Sequence, residues 1–127
     1  MFRVKKKIHD TAIFAAKLSC NTFRLGAVIF KGDKVISFGT NSSKSHPIVK
    51  EYSRDENKIY IHAEIHAILK AKDEVKDADL LVIRLNKNDE LCMAKPCDVC
   101  KQLIIDSNIR NIVYSGEKGI FHHEHLL

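Results

Sequence analysis

The sequence predicts an α/β layered fold. Short runs rich in Val, Ile, Leu and Phe ("GAVIF", "DLLVIRL", "RNIVYS") alternate with stretches whose apolar residues recur at helical spacing. Hydrophobic residues make up 45% of the 127, enough for a buried core and too many for a disordered chain. There is no internal repeat, low-complexity tract or linker, so residues 1–127 read as one domain.

Lys5 to Cys20 reads as an amphipathic helix with Ile8, Ala12, Ala15, Ala16 and Leu18 on its apolar side. "GAVIFKGDKVISFGTN" reads as a hairpin turning at Gly32-Asp33. Ser42 to Ile59 is polar, with one proline and five basic side chains counting His46, and is predicted to be a long loop with a functional role. "YIHAEIHAILKA" starts a second helix that runs to Lys72, its core face set by Ile61, Ile65, Ile68 and Leu69. "DLLVIRL", Asp79 to Leu85, is a buried strand, and "NKNDELCMAK" a loop. "PCDVCKQLIIDS" is a third helix with Pro96 at its first position. "RNIVYS" is a fourth strand, "GEKG" a turn, and "IFHHEHLL" a short fifth strand or a frayed tail.

The apolar runs are too short to cross a bilayer, and "MFRVKKKIHD" lacks the apolar stretch of a secretory signal, so a cytoplasmic protein is expected. Lys+Arg 21 against Asp+Glu 16 gives a net charge of +5. That suits an anionic ligand such as a nucleotide, suits RNA or DNA, and equally describes a solvated surface. Disulfides are not expected of the four cysteines in that setting. Cys20 reads as a buried small residue and Cys92 as a loop residue. Cys97 and Cys100 form C-x-x-C, a metal or redox pattern.

The second helix poses a question: a core-facing helix opens with His62 and Glu64. His62, Cys97 and Cys100 are three ligands of the types that hold catalytic zinc, which leaves one position open for water. Cys97 and Cys100 are three apart at a helix start, where free N–H groups and the helix dipole favour thiolates. Glu64 is then left over, and at the first turn it reaches past the helix end to move protons rather than bind metal.

The spacing H-x-E…P-C-x-x-C, here "HAE" and "PCDVC", is the known signature of zinc deaminases. With the hairpin ending in Asn41 and the strand "NIVYS", it resembles the cytidine and deoxycytidylate deaminase superfamily over roughly Leu25 to Ser115. The resemblance implies a three-layer α/β/α sandwich with a five-stranded mixed sheet, Zn2+ on His62, Cys97 and Cys100, and Glu64 as the proton shuttle. It implies that Asn41 touches sugar or base and that the Ala63 N–H binds a base carbonyl. It implies assembly into a homo-oligomer. Lys95 stands where relatives often have Ser, Thr or Glu, and the resemblance implies that its carbonyl accepts from the substrate amino group.

Other readings of the same residues are a closed structural zinc site completed by Cys92 or His66, an H-E-x-x-H protease, and a thioredoxin-like C-x-x-C. The glutamate stands at the wrong position for the protease, and the C-x-x-C comes too late in the chain for the redox motif. His66 is expected to be a packed helix residue. His122, His123 and His125 read as tail residues, with a second metal site or a wall over the active site as the sharper alternatives.

Relatives with His rather than Cys at the position of His62 include deoxycytidylate, guanine and tRNA-adenosine deaminases. Polynucleotide editing needs stacking aromatics. The chain has no tryptophan, and Phe2, Phe14, Phe23, Tyr52 and Tyr60 are few. The expected reaction is therefore hydrolytic conversion of dCMP to dUMP, with Lys44, His46, Lys50 and Arg54 of the basic loop nominated for the phosphate. The alternatives are a tRNA or single-stranded DNA base deaminase, and a guanine or nucleoside deaminase. No membrane partner is expected.

Overall fold

The computed structural model describes residues 3–19, 23–41 and 62–126. Cys20, Tyr52, Tyr60, Ile61 and the four nominated phosphate residues, Lys44, His46, Lys50 and Arg54, lie outside the described residues.

The elements run α1 (Lys6–Lys17), β1 (Arg24–Lys31), β2 (Lys34–Thr40), α2 (Ala63–Ala71), a 3-10 turn (Lys72–Val75), β3 (Asp79–Leu85), β4 (Leu91–Cys92), α3 (Asp98–Asp106), β5 (Asn111–Ser115), a second 3-10 turn (Glu117–Gly119) and β6 (Phe121–His125). Six strands form one mixed sheet in the order β2-β1-β3-β5-β6, with β4 paired to β3. Every neighbouring pair is antiparallel except β3 and β5. The parallel pair is joined through α3, the crossover such pairing requires.

The hairpin turns where the sequence places it, with Gly32 at φ +61°, a conformation that costs glycine little. β3 is central, and six of its seven residues are buried. Its alternate side chains feed two cores. Leu81, Ile83 and Leu85 pack with Ile8, Ala12 and Ala16 of α1. Leu80 and Val82 pack with Ile65, Ile68, Leu103 and Ile104 of α2 and α3. Helices on both faces make the sandwich three-layered.

Four expectations need correction. The sheet has six strands, not five, because Leu91 and Cys92 of the predicted loop pair with Leu85 and Arg84 beyond the end of β5. Leu18 is 50% exposed, since α1 stops at Lys17 and Leu18 only caps it. Pro96 precedes the third helix by two residues; Cys97 is the extended N-cap (φ −70°, ψ 170°) and the helix proper opens at Asp98. The C-terminal histidines are no frayed tail. β6 pairs with β5 throughout, the rings of His123 and His125 both reach Asn111 Oδ1 (2.8 and 2.9 Å), and His122 stacks on Tyr114. Among the described residues no helix is long and apolar enough to cross a membrane.

Candidate functional site

Two helix N-termini meet at one edge of the α2–α3 core. His62 is the N-cap of α2 and Cys97 the N-cap of α3, both with extended backbone, and neither side chain caps its own helix. Their side chains turn to each other instead. His62 Nδ1 lies 3.6 Å from Cys97 Sγ and 3.0 Å from Cys100 Sγ, and the three ligand atoms fall within 4.8 Å of one another. A tetrahedral zinc site with ordinary Zn–S and Zn–N lengths has N···S edges of about 3.6 Å. The donor set fits zinc in type and in spacing. Among the described residues no other His, Cys, Asp or Glu joins this group. Cys92 instead sits in β4 with its thiol towards Glu90 O, and His66 faces Thr40. Three protein ligands are the pattern of an open, catalytic zinc site rather than a closed structural one.

The position of α2 is set by β2. A Cβ on Gly39 would stand 2.5 Å from Ala63 O and 2.5 Å from Ala67 N, so only glycine lets the helix lie this close. Ser37 Oγ donates to Ala67 O at 2.7 Å, and His66 Nδ1 accepts from the Thr40 N–H at 3.1 Å. His66 is thus the packed helix residue the sequence suggested, and burial lowers its pKa.

Glu64 lies in the first turn of α2, 3% exposed, with Oε1 buried and without a hydrogen-bond partner. Burial pushes its carboxyl above the usual carboxylate range. A buried carboxylate oxygen with nothing to bond costs stability, and such an atom beside a ligand cluster marks a place for a reactant. The hydrogen bond from Cys100 pulls the Cys97 thiol down to about 3, and the same bond pushes Cys100 up. The pair therefore supplies one thiolate readily, and an ion with two positive charges would claim the second.

A cavity of about 210 Å³ opens here, lined by Phe23, Leu25, His62, Glu64, Arg84, Met93, Ala94, Lys95 and Cys97. Lys95 is an exposed residue of this lining. Ala63 is the first residue of α2 and fully buried, so its N–H is one of the donors a helix start leaves without an intrahelical partner. Asn41 follows β2, and its side chain bonds to the chain itself: Oδ1 accepts from Leu25 N (2.9 Å) and Nδ2 donates to Phe23 O (2.7 Å). It shapes the cavity through those two lining residues. Arg84 and Met93 were not singled out in the sequence. The available signal for Arg84 was a charge inside the apolar run "DLLVIRL"; Met93 carried none.

Residues 3–116 match the family profile described as the cytidine and deoxycytidylate deaminase zinc-binding region. None of the curated proteins matches the chain in sequence. Among solved structures, the dCMP deaminase of cyanophage S-TIM5 is similar over 92% of this chain and 90% of its own, at 21% identity and a TM-score of 0.58. Cytidine deaminase from Mycobacterium tuberculosis is similar over 92% and 85%, at 15% identity and a TM-score of 0.55. RibD of Acinetobacter baumannii is similar over 87% of this chain and 27% of its own, at 20% identity and a TM-score of 0.54. At these identities the likenesses establish the fold.

Proposed function

The chain belongs to the cytidine and deoxycytidylate deaminase family, and we propose that within it this protein hydrolyses a cytosine nucleotide, dCMP, to dUMP and ammonia. The observation that carries the reading is the buried, unpartnered Oε1 of Glu64 beside the His62, Cys97 and Cys100 cluster.

His62, Cys97 and Cys100 would hold the zinc. The ion, when bound, supplies Lewis acidity that lowers the pKa of water from about 15.7 to about 7. Glu64 accepts a proton from the attacking water at its carboxylate and delivers it to the adjacent ring nitrogen; it then takes the second proton from the hydroxyl now on the attacked carbon and gives it to the amine, which leaves as ammonia as the carbonyl forms. Its burial suits both roles, because a raised pKa lets the carboxyl hold a proton between steps. The Ala63 N–H donates to the base carbonyl, the Lys95 carbonyl accepts from the substrate amino group, and Asn41 sets the rim against the sugar. Lys44, His46, Lys50 and Arg54 are proposed contacts for the phosphate.

The nucleotide assignment rests on the net charge of +5 and on the fold shared with the S-TIM5 enzyme, whose structure is known in complex with dCMP and dUMP. The polynucleotide reading draws on one observation: Phe23, an aromatic at the cavity, is 57% exposed although Arg84 lies over its ring. Ammonia release from a panel of nucleobases, nucleosides, nucleotides, a tRNA stem-loop and single-stranded DNA decides. We expect dCMP to have the highest kcat/KM. Equal values for dCMP and deoxycytidine reject the nucleotide, and turnover of the polynucleotides alone puts the second reading in its place.

We further propose that residues 1–127 act as one deaminase domain that self-associates. Phe14, Leu18, Ile105 and Ile120 are 44–60% exposed, apolar surface that a partner copy would cover. A monomer by light scattering at working concentration rejects self-association.

A further inference from the structure

One wall of the active-site cavity has no part in the deamination chemistry. Arg84 lies on β3, two residues beyond Val82 and on the same face, the face that carries α2 and α3. Its guanidinium stacks on Phe23, with Cζ 4.1 Å from the ring centroid. Its Nε is buried and has no hydrogen-bond partner. Among the described residues no carboxylate pairs with it.

Arg24, on the neighbouring strand, makes the contrast. Its guanidinium donates to Asp89 and to the Asn86 carbonyl, so both its charge and its donors are met within the chain. Arg84 has the desolvation cost of a half-buried cation without the offset of a counter-charge. The aromatic contact holds the guanidinium plane in place but satisfies none of its five N–H donors. A planar fork of donors, fixed by stacking and facing a cavity whose own acidic groups, Glu64 and the Cys97 thiol, belong to the deamination site, is suited to a phosphate: a guanidinium binds two phosphate oxygens at once. A base carbonyl, by comparison, would use one donor and leave the charge unmet.

We infer that Arg84, held by Phe23, is the specificity-determining residue that grips the phosphate monoester of the substrate, with Lys95 adding charge at the same cavity. The inference rests on the nucleotide-deaminase reading and adds to it a described anchor distinct from the loop cations. A phosphate of this kind has two sources, a free nucleotide and a polynucleotide backbone; the commitment is to the free nucleotide.

The test uses the zinc-loaded full chain as wild type, Arg84→Gln and Arg84→Lys. Deamination of deoxycytidine, dCMP and a short single-stranded oligonucleotide with one cytosine is measured, together with dUMP binding by calorimetry. We expect the dCMP-to-deoxycytidine ratio of kcat/KM to fall roughly 10- to 100-fold in Arg84→Gln, mainly through KM, since a hydrogen bond to a charged group is worth about that much. Arg84→Lys, which keeps the charge but not the fork, should fall between, and it carries the test if the glutamine variant does not fold. dUMP affinity should weaken in parallel. An unmoved ratio in both variants, or equal losses on deoxycytidine and dCMP, overturns the assignment. Turnover of the oligonucleotide alone overturns the commitment to a free nucleotide. If the wild type deaminates none of the three, the reaction reading has failed separately, and dUMP binding still decides: affinity lost in the variants keeps the phosphate site, affinity unchanged removes it.

Discussion

On one face of the sheet α1 lies against β1, and a Cβ on Gly26 would meet Ala12 O at 2.1 Å and Ala16 N at 2.6 Å. On the other face α2 lies against β2, with Ala63 O and Ala67 N both 2.5 Å from the corresponding point on Gly39. The seating is the same: a strand glycine under two helix residues four apart. What the helices carry is different. The α1 core, from Ile8 to Val113, is an apolar cluster with none of these ligands in it. The α2 core holds a carboxylate with an unmet oxygen at the end of its helix, next to two cysteines and an imidazole. Extra tethers, from Ser37 to Ala67 and from Lys70 to Phe38, hold α2 in place. A helix that only fills a core tolerates small shifts, whereas one that aims ligands at a shared point does not.

The strongest way to break the comparison is to remove ligands. Cys97→Ala with Cys100→Ala should abolish stoichiometric zinc binding and reduce turnover below detection, because two of three donors are gone. Metal analysis of the purified variant checks it, and zinc retained at one per chain would reject this centre.

Next comes the proton shuttle. Glu64→Gln keeps the shape of the buried side chain, so zinc content should hold while kcat falls about a hundred- to ten-thousand-fold. Near-normal kcat would mean that another group moves the proton.

The two glycines sharpen the comparison further. Gly26→Ala and Gly39→Ala should each cost about 1–3 kcal/mol or more of stability through overpacking, read as a lower denaturant midpoint. Only Gly39→Ala should also weaken zinc affinity, since it displaces the helix that carries His62. Equal zinc affinity in the two folded variants would show that the seating of α2 does not matter to the site.

The smallest effect is on pH. His66 at the α2 seat and His9 on α1 both have pKa values lowered from 6.5, each chiefly by burial. The folded chain thus binds fewer protons at these groups than the unfolded one. Their contribution to stability is complete above about pH 6.5 and is lost as pH falls through the lower folded values. The thermal midpoint should drop between pH 7 and 5, and drop less in His66→Gln. An equal pH dependence in wild type and His66→Gln contradicts the sign, since the raised Glu64 carboxyl acts in the opposite direction in both.

How much of this could be read from residues alone varied with the range of the interaction. The central strand and the two site helices were legible, because apolar periodicity and an unbroken apolar run are local properties of the chain. "HAE" and "PCDVC" were legible as a candidate metal site, because His62, Cys97 and Cys100 are zinc-ligand types in the spacing of the zinc-deaminase signature. β4 was not, since a two-residue strand in "NKNDELCMAK" has no periodicity and exists only because Leu85 and Arg84 lie open beyond the end of β5. β6 was half legible: its polar residues looked like a tail, and pairing with β5 made them an edge strand.

By itself, the amino-acid order determined which chemistry this protein is equipped for: one imidazole, two thiols and a carboxylate at two helix starts. Tertiary structure decided that the imidazole and the two thiols share one point with the carboxylate beside it, by letting Gly39 and the β2 tethers bring α2 to the sheet and by closing α3 back beside it. It also decided which arginine is met within the chain and which is not. Arg24 and Arg84 are indistinguishable as letters in apolar strands. A counter-charge is a matter of what lies across space, and across space Asp89 stands beside Arg24, while Arg84 faces Phe23 and the cavity.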